Sequence, residues 1–310
     1  MVKRKILTIH FFLLVIFLLP QTGYSQPEET IDSLLHILRV THDANKINVY
    51  KELSWKLRNN NPSSAYKYAY DALQLAVKLH NKDEEAAIYN YLGVIRRNQN
   101  EYSKALEYFF KALTLAERIK NKTEIGYAYN NIGDIYARQK NDSLALIHFQ
   151  KAFNIFEKTK NKTGQAYVFN QMSLVYINLQ KFDEAIYYIN KTIELRNEIK
   201  DHIGIAVCYR NMGDVYMMQS DYKKANEFYI KSLVIDKKIN AFLGLAYTYN
   251  HIGQLYSKMG FFDMAIPYLD SALHMGEKIK SLEVQNIASR ELGYVYAQMN
   301  DFRKAYFYTD

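Results

Sequence analysis

One alanine returns every 40 residues along this chain: Ala65, Ala105, Ala145, Ala185, Ala225, Ala265 and Ala305. Shortly before each comes an Asn/Tyr-rich stretch that reads Tyr91-Leu92-Gly93, Asn131-Ile132-Gly133, Asn211-Met212-Gly213, His251-Ile252-Gly253 or Glu291-Leu292-Gly293. Leu53 and Ser173 stand at the two places where glycine is replaced. Tyr136, Tyr176, Tyr216, Tyr256 and Tyr296 follow at the same offset. A fixed period of this length marks a solenoid of small units. Each unit fails to bury its own apolar face and stacks on its neighbours to do so.

The pattern inside a unit is helical. Tyr89, Leu92, Gly93 and Arg96 share one face at i, i+3, i+4, i+7 spacing, as do Tyr129, Ile132, Gly133 and Tyr136 in the next unit. A second helix is predicted roughly from Tyr102 to Lys120, with Leu106, Phe109, Phe110, Leu113 and Leu115 as its apolar body. Glycine inside a helix costs roughly 1 kcal/mol relative to alanine. Its recurrence therefore predicts close packing against the partner helix, and the Ala series predicts the same from the other side. A further small series, Ala72, Ala112, Ala152, Thr192, Ser232 and Ala272, lies seven residues after the alanines. Between units stand Asn81-Lys82-Asp83, Asn121-Lys122-Thr123 and Asn161-Lys162-Thr163. Asn is expected to take the left-handed conformation that ends one helix, and Asp or Thr to cap the next. Strand patterns are absent, and the chain has only 4 prolines.

With these residues in place the chain resembles the tetratricopeptide repeat family. Tyr129, Ile132, Gly133, Tyr136, Ala145, Phe149 and Ala152 occupy the family's motif positions in one unit, and the likeness runs from about residue 47 to the end. The departure is the period, 40 residues here against 34 in the common unit, which closes its second helix with proline. Glu117, Glu157 and Glu277 hold that closing position, so the second helix is expected to continue further, as in the long-helix subclass found in kinesin light chains and bacterial peptide-sensing regulators. The resemblance implies an all-α fold, an α-α superhelix of helix-turn-helix repeats forming a right-handed solenoid.

Residues 1–25 read as a secretory signal: Lys3, Arg4 and Lys5, an apolar run from Phe11 to Leu19, and small residues before Gln26. Residues 26–46 read as an N-terminal capping helix region, and 47–310 as the solenoid, about six complete repeats with a seventh that stops halfway through its second helix. That stop leads to the expectation of a longer parent chain. An exported location, periplasmic or extracellular, is expected, with no membrane span within 26–310.

The formal charge of +8 falls to +5 once the signal's three cations are set aside, and it is scattered among acids. No basic stripe supports a nucleic-acid partner. Cys208 is the only cysteine and reads as a small buried hydrophobe. The 8 histidines show no metal spacing, and no Gly-rich phosphate loop or nucleophile motif occurs. No cofactor and no catalytic role are expected.

What remains is a binding surface. Asn90, Asn130, Asn170, Arg210, Asn250 and Arg290 recur at one position of the first helix, and Tyr127, Tyr167 and Tyr247 stand one turn before three of them. Tyr127, Tyr167 and Tyr247 lie about 200° from the core aromatic. In the family that side forms the concave groove. An Asn amide donates to and accepts from a peptide backbone at once. Tyr would add apolar surface, and Arg210 and Arg290 would hold an acidic group. The same asparagines could instead bond one another or neighbouring helices as a structural ladder. The leading expectation is a non-catalytic scaffold that recognises a protein or an extended peptide segment. The alternative is the sensor portion of a longer bacterial signalling protein, with a membrane helix and a histidine kinase or DNA-binding output downstream.

Overall fold

The computed structural model describes residues 31–41 and 44–309; the signal segment and its cleavage point lie outside them. Every element among the described residues is a helix. A first helix α1 (Ile31–Val40) leads into α2 (Asn45–Leu57) and α3 (Pro62–Lys78). The units that follow are α4 (Lys82–Asn98) with α5 (Tyr102–Arg118), α6 (Lys122–Arg138) with α7 (Asp142–Lys158), and α8 (Lys162–Asn178) with α9 (Phe182–Glu198). Next come α10 (His202–Met218) with α11 (Tyr222–Lys238), α12 (Phe242–Lys258) with α13 (Phe262–Lys278), and α14 (Leu282–Gln298) with α15 (Phe302–Thr309). The sequence-predicted capping helix is α1, which buries Leu34 and packs on α2.

Both helices of a full unit are 17 residues long, so the extra length is not confined to the second helix. The junctions are also alike. Eleven non-glycine residues at 20-residue intervals, among them Lys120, Lys140 and Lys160, have positive φ. Gly260, at φ 79°, is the glycine in this series. The junctions satisfy their carbonyls in the same way: Asn121 N–H bonds Ala116 C=O at 2.9 Å and Lys120 N–H bonds Glu117 C=O at 3.1 Å. This corrects the expected role of the linker asparagines. The residue before each one is left-handed, and the Asn is the cap: Asn121 Oδ1 accepts from Glu124 N–H at 3.1 Å. Asn81 and Asn161 do likewise. One short polar side chain thus serves a donor that the helix start leaves unsatisfied.

Packing inside a unit follows a volume rule. A Cβ placed on Gly133 would lie 2.7 Å from the ring of Phe149, and one on Gly253 2.6 Å from Leu269. Gly93 stands against Phe109 and Gly213 against Tyr229 in the same register, 16 residues apart. The two exceptions obey the rule by register. Ser173 faces the smaller Ile189, and Leu53 faces Ala69; all four are buried. Each large partner is fully buried, a gain of about 1.5–3 kcal/mol per side chain, which outweighs the ~1 kcal/mol cost of a mid-helix glycine.

A second rule operates between units. Phe156 fills the space left by Gly164, Arg196 that left by Gly204, and Asp236 that left by Gly244. Where the second helix carries only Ala116, the next helix carries Glu124 in the equivalent place. Helices contact their chain neighbours, and beyond those only first helices touch first helices: α2 with α4, α4 with α6, α6 with α8, and on to α14. The second helices make no such contacts with one another among the described residues. First helices therefore form the tight inner row and second helices the splayed outer one.

Candidate functional site

On the inner row lies an open cleft of about 570 Å³. It is built from the same helical face in consecutive units. Ala87, Asn90, Tyr91, Val94 and Arg97 come from α4, Glu124, Tyr127, Asn130 and Asn131 from α6, and Tyr167, Asn170 and Gln171 from α8. Trp55 of α2 closes one end, and Arg196 of α9 reaches the other. Arg196 can lie there because Gly204 has no side chain to oppose its guanidinium.

Five of the nine sequence-predicted residues meet in this cleft: Asn90, Asn130, Asn170, Tyr127 and Tyr167. The asparagines and Tyr127 are more enclosed than a face turned away from the partner helix would be, because neighbouring first helices close over the row. Asn90 Nδ2 donates to Glu124 Oε2 at 2.8 Å, and Asn90 Oδ1 accepts from Asn131 Nδ2 at 3.4 Å. Asn170 Oδ1 accepts from Asn211 Nδ2 at 3.4 Å. The ladder reading thus holds at two steps, through long bonds. It fails at Asn130, where Gln171 replaces the donor asparagine. Asn130 is 8% exposed, and its buried Oδ1 has no partner. A buried acceptor left unmade costs about 1–3 kcal/mol, which the side chain would recover by turning that oxygen into the cleft to meet a ligand donor. Tyr127 packs on Phe156 at 5.1 Å between centroids, while Tyr167 is 47% exposed.

Arg210 corrects the expectation of an acid-binding groove residue. It is buried, with Nη1 2.8 Å from Asp236 Oδ2, 3.0 Å from Ser232 Oγ and 3.1 Å from Thr248 Oγ1. Gly244 makes room for Asp236, and Arg210 turns inward to neutralise it. Burial raises the Asp236 carboxyl above its ordinary range, and Arg210 opposes that shift. Next to this cluster, Asp214 accepts from the Tyr229 hydroxyl at 2.7 Å and lies 3.0 Å from His251 Nδ1. Burial works to raise Asp214, but His251 and the Tyr229 hydroxyl hold it below the usual value. Asn250, Tyr247 and Arg290 do not line the cleft. Asn250 is buried with both polar atoms unpartnered, burial and the neighbouring Glu283 carboxylate push the Tyr247 phenol up, and Arg290 is exposed.

Sequence reasoning missed Trp55, Tyr91, Arg97, Glu124, Gln171 and Arg196. The signal for three of them was present, since 87, 90, 91, 94 and 97 share one helical stripe. Reading the Asn position alone left Tyr91, Arg97 and Gln171 aside. Among the described residues no group of His, Cys, Asp and Glu is placed to hold a metal. Cys208 is buried, and burial pushes its thiol up to about 11. No described helix is long and apolar enough to cross a membrane.

Comparison with known proteins matches this architecture. Tetratricopeptide repeat family models cover residues 84–158, 162–238 and 245–279. The chain belongs to the tetratricopeptide repeat family. No curated protein matches it. Among solved structures, NprR in complex with its cognate peptide NprX is 18% identical, covering 89% of this chain and 80% of that one, with a TM-score of 0.62. A Rap protein complexed with competence and sporulation factor is 13% identical over 90% of this chain and 94% of that one, TM-score 0.60. A signal transduction ATPase with numerous domains from Pyrococcus horikoshii, which carries a tetratricopeptide repeat sensor, is 16% identical over 93% of this chain and 46% of that one, TM-score 0.65. At these identities the likeness is one of fold.

Proposed function

We propose that the chain is a non-catalytic, exported scaffold that holds an extended protein or peptide segment along its inner row of helices. The observation that carries this reading is the buried, unpartnered Oδ1 of Asn130 at the centre of a cleft lined by repeated Asn and Tyr. An acceptor in that state suits a backbone N–H. Four first helices, α2, α4, α6 and α8, border the cleft. With about 8–10 Å between packed helices and about 3.3 Å per extended residue, they span a segment of roughly seven to nine residues. The similarly folded NprR holds its cognate peptide, which supports a peptide as the occupant. Export rests on residues 1–25. The likeness of residues 31–35 and 46–53 to exported repeat regions of bacterial signalling proteins supports a second reading, in which the same groove is the sensor part of a longer protein.

The test is selection from a random displayed peptide library on the chain beginning at Gln26, followed by affinity measurement with the selected peptides. Each backbone hydrogen bond contributes about 0.5–1.5 kcal/mol. Asn130→Ala with Asn170→Ala is therefore expected to weaken binding about 5- to 150-fold without lowering the melting temperature much. Unchanged affinity in a folded double variant would reject the groove.

A further inference from the structure

The cleft's charges do not balance. Three charged side chains line it: Arg97, Glu124 and Arg196. Arg97 Nη1 is 2.6 Å from Asp134 Oδ2, and Arg196 Nη1 is 3.3 Å from Asp201 Oδ2, so both cations are spent. Glu124 forms no ion pair among the described residues. Its one side-chain hydrogen bond comes from the neutral amide of Asn90. The cation that acts on it, Lys51, is committed to Glu84 at 2.8 Å, and the other charges acting on it are the acids Glu84 and Asp83. Burial raises the Glu124 carboxyl above its ordinary value, as expected for a group losing water without gaining a counter-ion. Arg58, beyond Trp55, is occupied otherwise: its guanidinium lies 3.8 Å over that indole and donates to the Trp55 carbonyl.

The surroundings of Glu124 are aromatic. Tyr91, Tyr127 and Tyr167 line the same cleft, and the phenols of Tyr91 and Tyr127 each sense both Glu124 and Tyr167. One cation already uses them, since Lys51 Nζ lies 5.8 Å from the Tyr91 ring centroid; aromatic rings and a nearby carboxylate together attract a cation, through the quadrupole and through Coulomb's law. Asn130, with its unpartnered acceptor, lies on the same helix, α6, and offers a bond to the backbone carrying that cation.

We propose that the cleft seats a lysine or arginine side chain of the bound segment among Tyr91, Tyr127 and Tyr167, with its charge against the Glu124 carboxylate. The inference rests on the peptide-groove reading and names the residue type that reading leaves open.

The library selection tests it. Peptides enriched on the wild-type chain are expected to carry Lys or Arg at one position. Glu124→Gln keeps the bond to Asn90 and should weaken those peptides about tenfold or more, with an unchanged melting temperature. Replacing the peptide lysine by norleucine should produce the same loss on the wild-type chain and little further loss on Glu124→Gln. Tyr167→Ala, at an exposed ring, should weaken the basic peptides more than their norleucine forms, with an unchanged melting temperature. Enriched peptides without a basic preference that still depend on Asn130 would overturn the cation assignment and leave the groove standing. Loss on acetylating the peptide N-terminus, with the norleucine form unaffected, would overturn the side-chain assignment in favour of an α-ammonium. Failure to enrich any peptide would overturn both readings.

Discussion

Leucine, serine and glycine occupy one position of the first helix, and the side chain facing it shrinks or grows to match. Gly133 meets Phe149, Ser173 meets Ile189 by register, and Leu53 meets Ala69. Interiors packed near crystal density punish any one-sided change. Gly133→Ser alone forces an atom into the Phe149 ring and should cost about 1–3 kcal/mol. Phe149→Ile alone leaves a cavity. Together they recreate the Ser173–Ile189 pair, so the double variant should be less destabilised than the sum of the two by about 0.5–3 kcal/mol. Denaturant melts of the four proteins measure the coupling; strict additivity would show that the two sites do not touch. The glycine series was legible in the sequence because it repeats. The reason for Leu53 was not, since its compensation sits 16 residues away in another helix. Arg210 was misread for a related reason: its partner Asp236 is contributed by a second helix, through space cleared by Gly244 of a third.

At the scale of the element, the repeat halves. Helices of 17 residues alternate with junctions at which residues 20 apart adopt positive φ. A left-handed L-residue costs about 1–2 kcal/mol, whereas glycine loses about 0.5–1 kcal/mol of chain entropy. Lys140→Gly, at an exposed junction with φ 60°, should therefore stabilise the protein by up to about 1 kcal/mol. Asn121→Ala removes the cap on Glu124 N–H and should destabilise by about 1 kcal/mol. Thermal melts of the two variants should move in opposite directions; movement in the same direction would contradict the assigned roles. The linker asparagines were legible as junctions. Their role was not, because Asn suits both the left-handed position and the cap, and only the backbone shows that the preceding Lys or His takes the first.

For the whole molecule, the order of contacts decides which surface is inner. First helices touch first helices along the chain, so a position repeated on their shared face becomes a row, and a row becomes a cleft wherever side chains leave space. The sequence placed Asn90, Asn130 and Asn170 in that row. It did not show that the row changes character after α9, where Arg210, Asp236 and Thr248 bind one another and Asp214 is held by Tyr229 and His251. We therefore propose that binding falls on the α2–α8 half of the solenoid. Hydrogen exchange with and without a selected peptide tests this most directly. Added protection is expected on α4, α6 and α8 around residues 87–97, 124–134 and 164–174. Protection confined to the outer helices, or to α10 through α14, would contradict it.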